Sequence, residues 1–270
     1  MLRIGVTNNK GGVGKTTVAT HVAREFAKRL RVLLVDMDPQ CNATNDLAQS
    51  DNDRDYPVTI ANVLELEINK SIDISDNFLT YIENGNIIDN LKFFPSSRRL
   101  STVEQAIQGH AKRERKLAKA LKKVEHLFDV VVIDCPPQTG TLLHNVAEYA
   151  DVFICPVTTD KKTWHGIQTT IDAINPVKED GFELFILRNM IKPKAQGNSK
   201  LNEFLFDQKP IGRDAYDDLV LNTCIRERES FRKVTEKGRG LIHAFDSGHP
   251  VMNDLSDLAK ELLEKIESGD

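Results

Sequence analysis

Gly11-Gly12-Val13-Gly14-Lys15-Thr16-Thr17 places three glycines ahead of a lysine and two hydroxyls. Glycines let successive backbone N–H groups turn inward around phosphate oxygens, and a helix starting near Lys15 adds the positive end of its dipole. Lys15 is placed to reach β- and γ-phosphates, the Thr16 hydroxyl to hold Mg²⁺, and Thr17 to touch the α-phosphate. The stretch completes the second half of G-x-x-x-x-G-K-[ST], with Asn9 where the first glycine would stand. Two acids follow an apolar run, Asp36 and Asp38 after R-V-L-L-V, and Asp134 closes V-V-V-I. Phosphoryl transfer needs in-line placement and charge neutralisation more than covalent chemistry, so such acids beside a cation suffice. A glycine turn that merely matches the pattern is the bland alternative; the strand before the loop and the helix after it argue against that.

The elements that position these residues read as strand, loop, helix, repeated. Leu2 to Thr7 is β-rich, and Thr17 to Leu30 carries apolar residues at helical spacing. Arg31–Val35 and Val130–Ile133 are continuous apolar runs, which fit strands buried on both faces of a parallel sheet. Further strands are expected at Val152–Cys155 and Phe182–Leu187, with helices at Thr141–Tyr149 and Thr163–Ile174. The fold class expected is α/β, a mostly parallel twisted sheet with helices on both faces, in one domain over 1–270. Residues 50–97 are more polar; Val58–Leu66 reads as a short helix and Leu91–Phe94 as a short strand, within an insertion on the sheet edge. Ser101–Leu127 reads as one or two helices with a basic face, and Asp254–Ile266 as a last amphipathic helix.

Composition narrows the class further. The chain has 270 residues, 40% hydrophobic and 28% charged, which excludes collagen-like, mucin-like and wholly disordered chains. No apolar run approaches the roughly twenty residues that span a bilayer, and the first residues lead into the glycine loop rather than a cleavable signal, so a cytoplasmic location is expected. Cys41, Cys135, Cys155 and Cys224 form no C-x-x-C pair, so neither a zinc site nor a disulfide scaffold is expected. Net charge is -4, yet screening confines each patch to roughly 8 Å, so local clusters decide the partners.

Lys10-Gly-Gly-Val-Gly-Lys-Thr-Thr resembles the deviant Walker A box of the ParA/MinD superfamily of P-loop ATPases. Val35-Asp36-Met37-Asp38-Pro39-Gln40 resembles its V-D-x-D-P-Q segment, departing at Cys41, where glycine is common. Val131 to Pro137 resembles a Walker B strand entering switch II. The resemblance implies ATP and Mg²⁺ as cofactors and a nucleotide-dependent homodimer in which Lys10 reaches the phosphates of the partner subunit. It further implies that Asp38 orients the attacking water, that Asp36 supports the Mg²⁺ shell, and that Asp134 holds Mg²⁺ through a water. Asn189, after a late strand, is the residue expected to face adenine, with a turn asparagine as the equal alternative.

Which surface uses the cycle is a separate question. Arg226, Arg228, Arg232, Lys233, Lys237 and Arg239 outnumber Glu227, Glu229 and Glu236 by three. Related partition ATPases bind DNA without sequence preference through this region, which implies non-specific DNA, nucleoid association and a ParB-like or other adaptor; a solvated helix face is the bland reading. No segment before the first strand is long enough for a separate DNA-reading helix pair. A MinD-like spatial regulator or a protein-cargo positioning ATPase is the alternative. The acid-rich final helix argues against attachment to anionic lipid.

Overall fold

The computed structural model describes residues 1–48, 56–69, 74, 77–83, 86–178, 180–192, 196–207, 216–229 and 250–268. Its centre is an eight-stranded sheet. In chain order the strands are β1 (Leu2–Val6), β2 (Val32–Asp36), β3 (Leu79–Glu83), β4 (Asn86–Phe94), β5 (Val130–Asp134), β6 (Val152–Val157), β7 (Glu183–Ile191) and β8 (Val220–Arg226). They lie in the order β3-β4-β2-β5-β1-β6-β7-β8. All neighbours run parallel except β3 and β4, which form an antiparallel edge.

The continuous apolar runs have a direct cause. Successive side chains of a strand point to opposite faces, so a strand covered on both sides needs apolar residues at every position. In β2, Leu33 and Val35 enter one core and Val32 and Leu34 the other. The first core is closed by α3 (Ile60–Asn69), α4 (Leu100–Ile107), α5 (Lys116–Leu121), α6 (Thr141–Tyr149) and α7 (Lys161–Ile174). The second lies beneath α1 (Lys15–Phe26) and the last helix, α9 (Pro250–Ser268). Two shorter helices, α2 (Asn42–Ala48) and α8 (Gln196–Asn202), complete the set among the described residues.

Segment 50–97, expected as an insertion with one short strand, supplies both strands of the β3–β4 edge. Its β4 pairs in parallel with β2 from Val32↔Leu91 to Val35↔Phe94. Alternation is weak in N-I-I-D-N-L-K-F-F, so only its apolar end is legible as strand; antiparallel pairing with β3 carries the rest. The last helix runs longer than its leucine spacing alone suggests, and buries Met252, Leu255, Leu258 and Leu262 against the α1 face. No helix among the described residues is long and apolar enough to cross a membrane.

Candidate functional site

The carboxyl ends of β1, β2 and β5 open into one cavity of about 840 Å³. Its walls include Gly12, Lys15, Thr16, Thr17, Asp38 and Asn189. Ligands of open parallel sheets bind at such strand ends, where loops and helix N-termini converge.

The loop between β1 and α1 is held from three sides. Asn8, fully buried, donates from Nδ2 to the Pro156 carbonyl at 2.9 Å and the Thr163 carbonyl at 3.2 Å. Its Oδ1 accepts the Lys10 backbone N–H at 2.9 Å, which turns the chain into the glycines. Gly14 then takes φ +88°, a left-handed value that side chains resist, and a methyl group there would overlap the Asn189 amide. Asn189 in turn donates from Nδ2 to the Val13 carbonyl at 2.7 Å and accepts the Met190 N–H at 2.9 Å. Asn189 therefore braces the phosphate loop. Its amide nitrogen and oxygen each make one of these bonds, and Asn189 also lines the cavity.

Lys15, 7% exposed, points its ammonium back to the Lys10 carbonyl at 3.2 Å. Burial lowers its pKa, opposed by the negative charges of Asp134 and Asp38. Lys10 itself is exposed. The hydroxyl of Thr16 donates to Asp134 Oδ2 at 2.7 Å. Asp134 is 0% exposed, and its other oxygen, Oδ1, is buried without a protein hydrogen-bond partner. Burial, and after it the charge of Asp36, pushes the Asp134 pKa well up. An orphaned carboxylate oxygen beside a hydroxyl is a hard-oxygen donor set, which fits Mg²⁺ completed by phosphates and water. No cluster of three or more His, Cys, Asp or Glu competes for a metal among the described residues.

Asp36 pairs in register with Asp134 across β2 and β5, but its oxygens are committed to the chain. Oδ2 accepts the Thr44 N–H at 2.8 Å and the Thr44 hydroxyl at 2.7 Å, and Oδ1 accepts the Asp38 N–H at 3.0 Å. Burial pushes its pKa up to about 7 against those bonds. Asp36 thus shapes the loop that carries Asp38, from within the wall rather than on the cavity surface. Asp38 is 5% exposed, accepts the Gln40 N–H at 2.9 Å on Oδ1, and is raised by burial. Ser96 fastens the same loop, donating to the Asp38 carbonyl at 2.8 Å. Cys41, where the resemblance leads one to look for glycine, has φ 58°, so the loop keeps the left-handed turn without the residue that relieves it.

Asn8, Thr44, Ser96 and Asp46 carry no motif and escape sequence reading; a polar residue directly after a strand end is the one signal Asn8 offers. Asp46, on α2, lines the cavity, and burial pushes it up to about 6. At the far wall, Arg226 and Arg228 both turn inward to Asp254 of α9: Arg226 Nε lies 3.1 Å from Oδ1, and Arg228 3.6 Å from Oδ2. These two arginines of the basic run are therefore engaged within the subunit. Arg232, Lys233, Lys237 and Arg239 lie outside the described residues.

Comparison with known proteins agrees with this geometry. A family model described as an AAA domain matches residues 1–186. The chain is 30% identical over 264 residues to the cell division protein PomZ of Myxococcus xanthus, spanning 96% of this chain and 77% of that protein. It is 26% identical over 260 residues to the sporulation initiation inhibitor protein Soj of Bacillus subtilis, spanning 96% and 97%. Among solved structures, a cobyrinic acid a,c-diamide synthase from Mycobacterium smegmatis with bound ATP analog and magnesium superposes with a TM-score of 0.78 at 25% identity, over 100% of this chain and 97% of that one.

Proposed function

The chain belongs to the ParA/Soj-like family of P-loop partition ATPases, and on that premise we propose that it hydrolyses Mg²⁺-bound ATP between two copies of itself. The observation that carries this reading is the Thr16–Asp134 bond, which leaves a buried carboxylate oxygen free beside Lys15. Thr16 and Asp134 would hold the cation, directly and through water, and Mg²⁺ would neutralise charge on the phosphates. The N–H groups of Gly11 to Thr17 and the Lys15 ammonium bind the triphosphate, with Thr17 at the α-phosphate. Asp38, held by Gln40 and Ser96, orients the attacking water. Lys10, exposed one residue before the cavity-lining Gly11, reaches the phosphates of the second copy. Asp36 acts by fixing the Asp38 loop.

Paired copies place two basic 226–239 segments on one body, and this surface binds DNA without reading its sequence. Arg226 and Arg228, tied to Asp254, lie at the cavity wall, so this end of the basic run adjoins the nucleotide site. An adaptor marks the cargo and stimulates hydrolysis. PomZ is named as a cell division protein, which favours, as a second reading, positioning of the division site or another protein cargo.

Two variants test the chemistry. Lys15→Ala should lose at least ~100-fold in ATP affinity, the scale of a buried charge-assisted contact of about 3 kcal/mol. Asp38→Ala should keep ATP affinity within about threefold while hydrolysis falls more than roughly tenfold. An Asp38→Ala protein that hydrolyses at the parent rate removes Asp38 from the reaction.

A further inference from the structure

Residues 112–123 carry seven cations, Lys112, Arg113, Arg115, Lys116, Lys119, Lys122 and Lys123, against the single acid Glu114, in a chain of net charge -4. The structure turns this run into a face. Leu117, Ala120, Leu121 and Val124 are buried in the core shared by α3 and α6, so helical geometry sends the lysines between them outward. Lys112, Arg113, Lys119, Lys122 and Lys123 are exposed, and Arg115 is paired with Glu148 at 2.9 Å.

The face is separate from Arg226 and Arg228. Its buried side belongs to the core opposite α1 and α9, whereas Ile225, Met252 and Leu255 belong to the α1 side. It also offers no apolar anchor: the exposed large hydrophobics among the described residues are Met1 and Met190, both elsewhere. Protein partners are usually gripped by aromatic or aliphatic anchors in pockets, while a polyphosphate backbone is gripped by charge alone. A lipid surface would also call for apolar residues to insert beside the lysines.

We propose that the lysine face of residues 112–123 is a second nucleic-acid surface, which binds the phosphate backbone of a duplex from a single subunit and without nucleotide. It requires no second copy, so its occupancy does not follow the ATP cycle. It would hold the protein loosely on DNA between cycles, while the 226–239 segments add the nucleotide-dependent grip. The 112–123 run is also bolted to the helix that follows Asp134. Asn145 of α6 accepts the Leu117 N–H at 3.0 Å and donates to the Arg113 carbonyl at 2.9 Å.

The test uses the full chain, a labelled random-sequence duplex and anisotropy, without nucleotide, over a range of salt. The variant is the triple Lys119→Gln, Lys122→Gln, Lys123→Gln, all exposed positions, with its melting temperature and ATP affinity measured alongside. The parent should bind with a steep salt dependence. Loss of three phosphate contacts should flatten the log–log slope by about 3 and, extrapolated from 1 M salt, weaken binding by roughly 500-fold near 0.1 M. The nucleotide-induced gain in DNA affinity should survive. Unchanged nucleotide-free binding in a folded triple variant would overturn the proposal, as would a parent that ignores the duplex but is captured by poly-glutamate through the same lysines. Failure of ATP binding in the parent would strike at the ATPase reading and leave this surface standing.

Discussion

Gly14 and Asp46 show how much of the site turns on single side chains. At Gly14 two constraints coincide, a left-handed backbone and an amide packed where a β-carbon would go. Gly14→Ala should therefore lower ATP affinity at least tenfold and destabilise the fold by about 1–3 kcal/mol; titration calorimetry and urea unfolding read the two effects. Normal affinity would mean that Asn189 is no brace. Asp46 makes an opposite case, a carboxyl held half-buried and pushed up to about 6. Its folded pKa exceeds the unfolded value, so burial of its charge costs stability above about pH 6, and the cost fades as pH falls toward 4. Asp46→Asn should accordingly melt higher than the parent at pH 8, by the equivalent of about 1 kcal/mol, with the gap closing near pH 4. A gap that is equal at both pH values would place the effect in packing, not charge.

Elements were legible where a pattern had one meaning. V-V-V-I-D and R-V-L-L-V read as buried strands because both faces of the sheet are covered, and the glycine loop fixed the start of α1 between them. Leucines every three or four residues marked α9. What escaped depends on contacts across the chain. In the β3–β4 edge, residues 79–83 and 86–88 are held by pairing with each other, which no local pattern there announces. Likewise the bonds that Thr44, eight residues on, makes to one oxygen of Asp36 have no signal in the motif that points to Asp36 as a support of the Mg²⁺ shell. The bond from Asn189 to the Val13 carbonyl is another contact between distant parts of the chain that no local pattern announces. The last helix carries its own test at this scale. Leu258 is fully buried against the α1 face, so Leu258→Ala should cost about 2–5 kcal/mol in urea unfolding. A cost under about 1 kcal/mol would mean that α9 is a loosely attached cover.

For the whole molecule, the carboxyl ends of the central strands gather Lys15, Thr16 and Asp38 around one cavity, with Lys10 exposed one residue before the cavity-lining Gly11. In the proposed mechanism a second copy receives that lysine, and pairing would convert nucleotide state into a change of surface. Sedimentation velocity with Mg²⁺ and a non-hydrolysable ATP analogue measures this directly, on the parent and on Lys10→Ala. The parent should shift from single copies to dimers when the analogue is added, and Lys10→Ala should bind the analogue yet remain single. Single copies of the parent with the analogue demonstrably bound, or full dimerisation of Lys10→Ala, would contradict an ATP-held pair joined through Lys10.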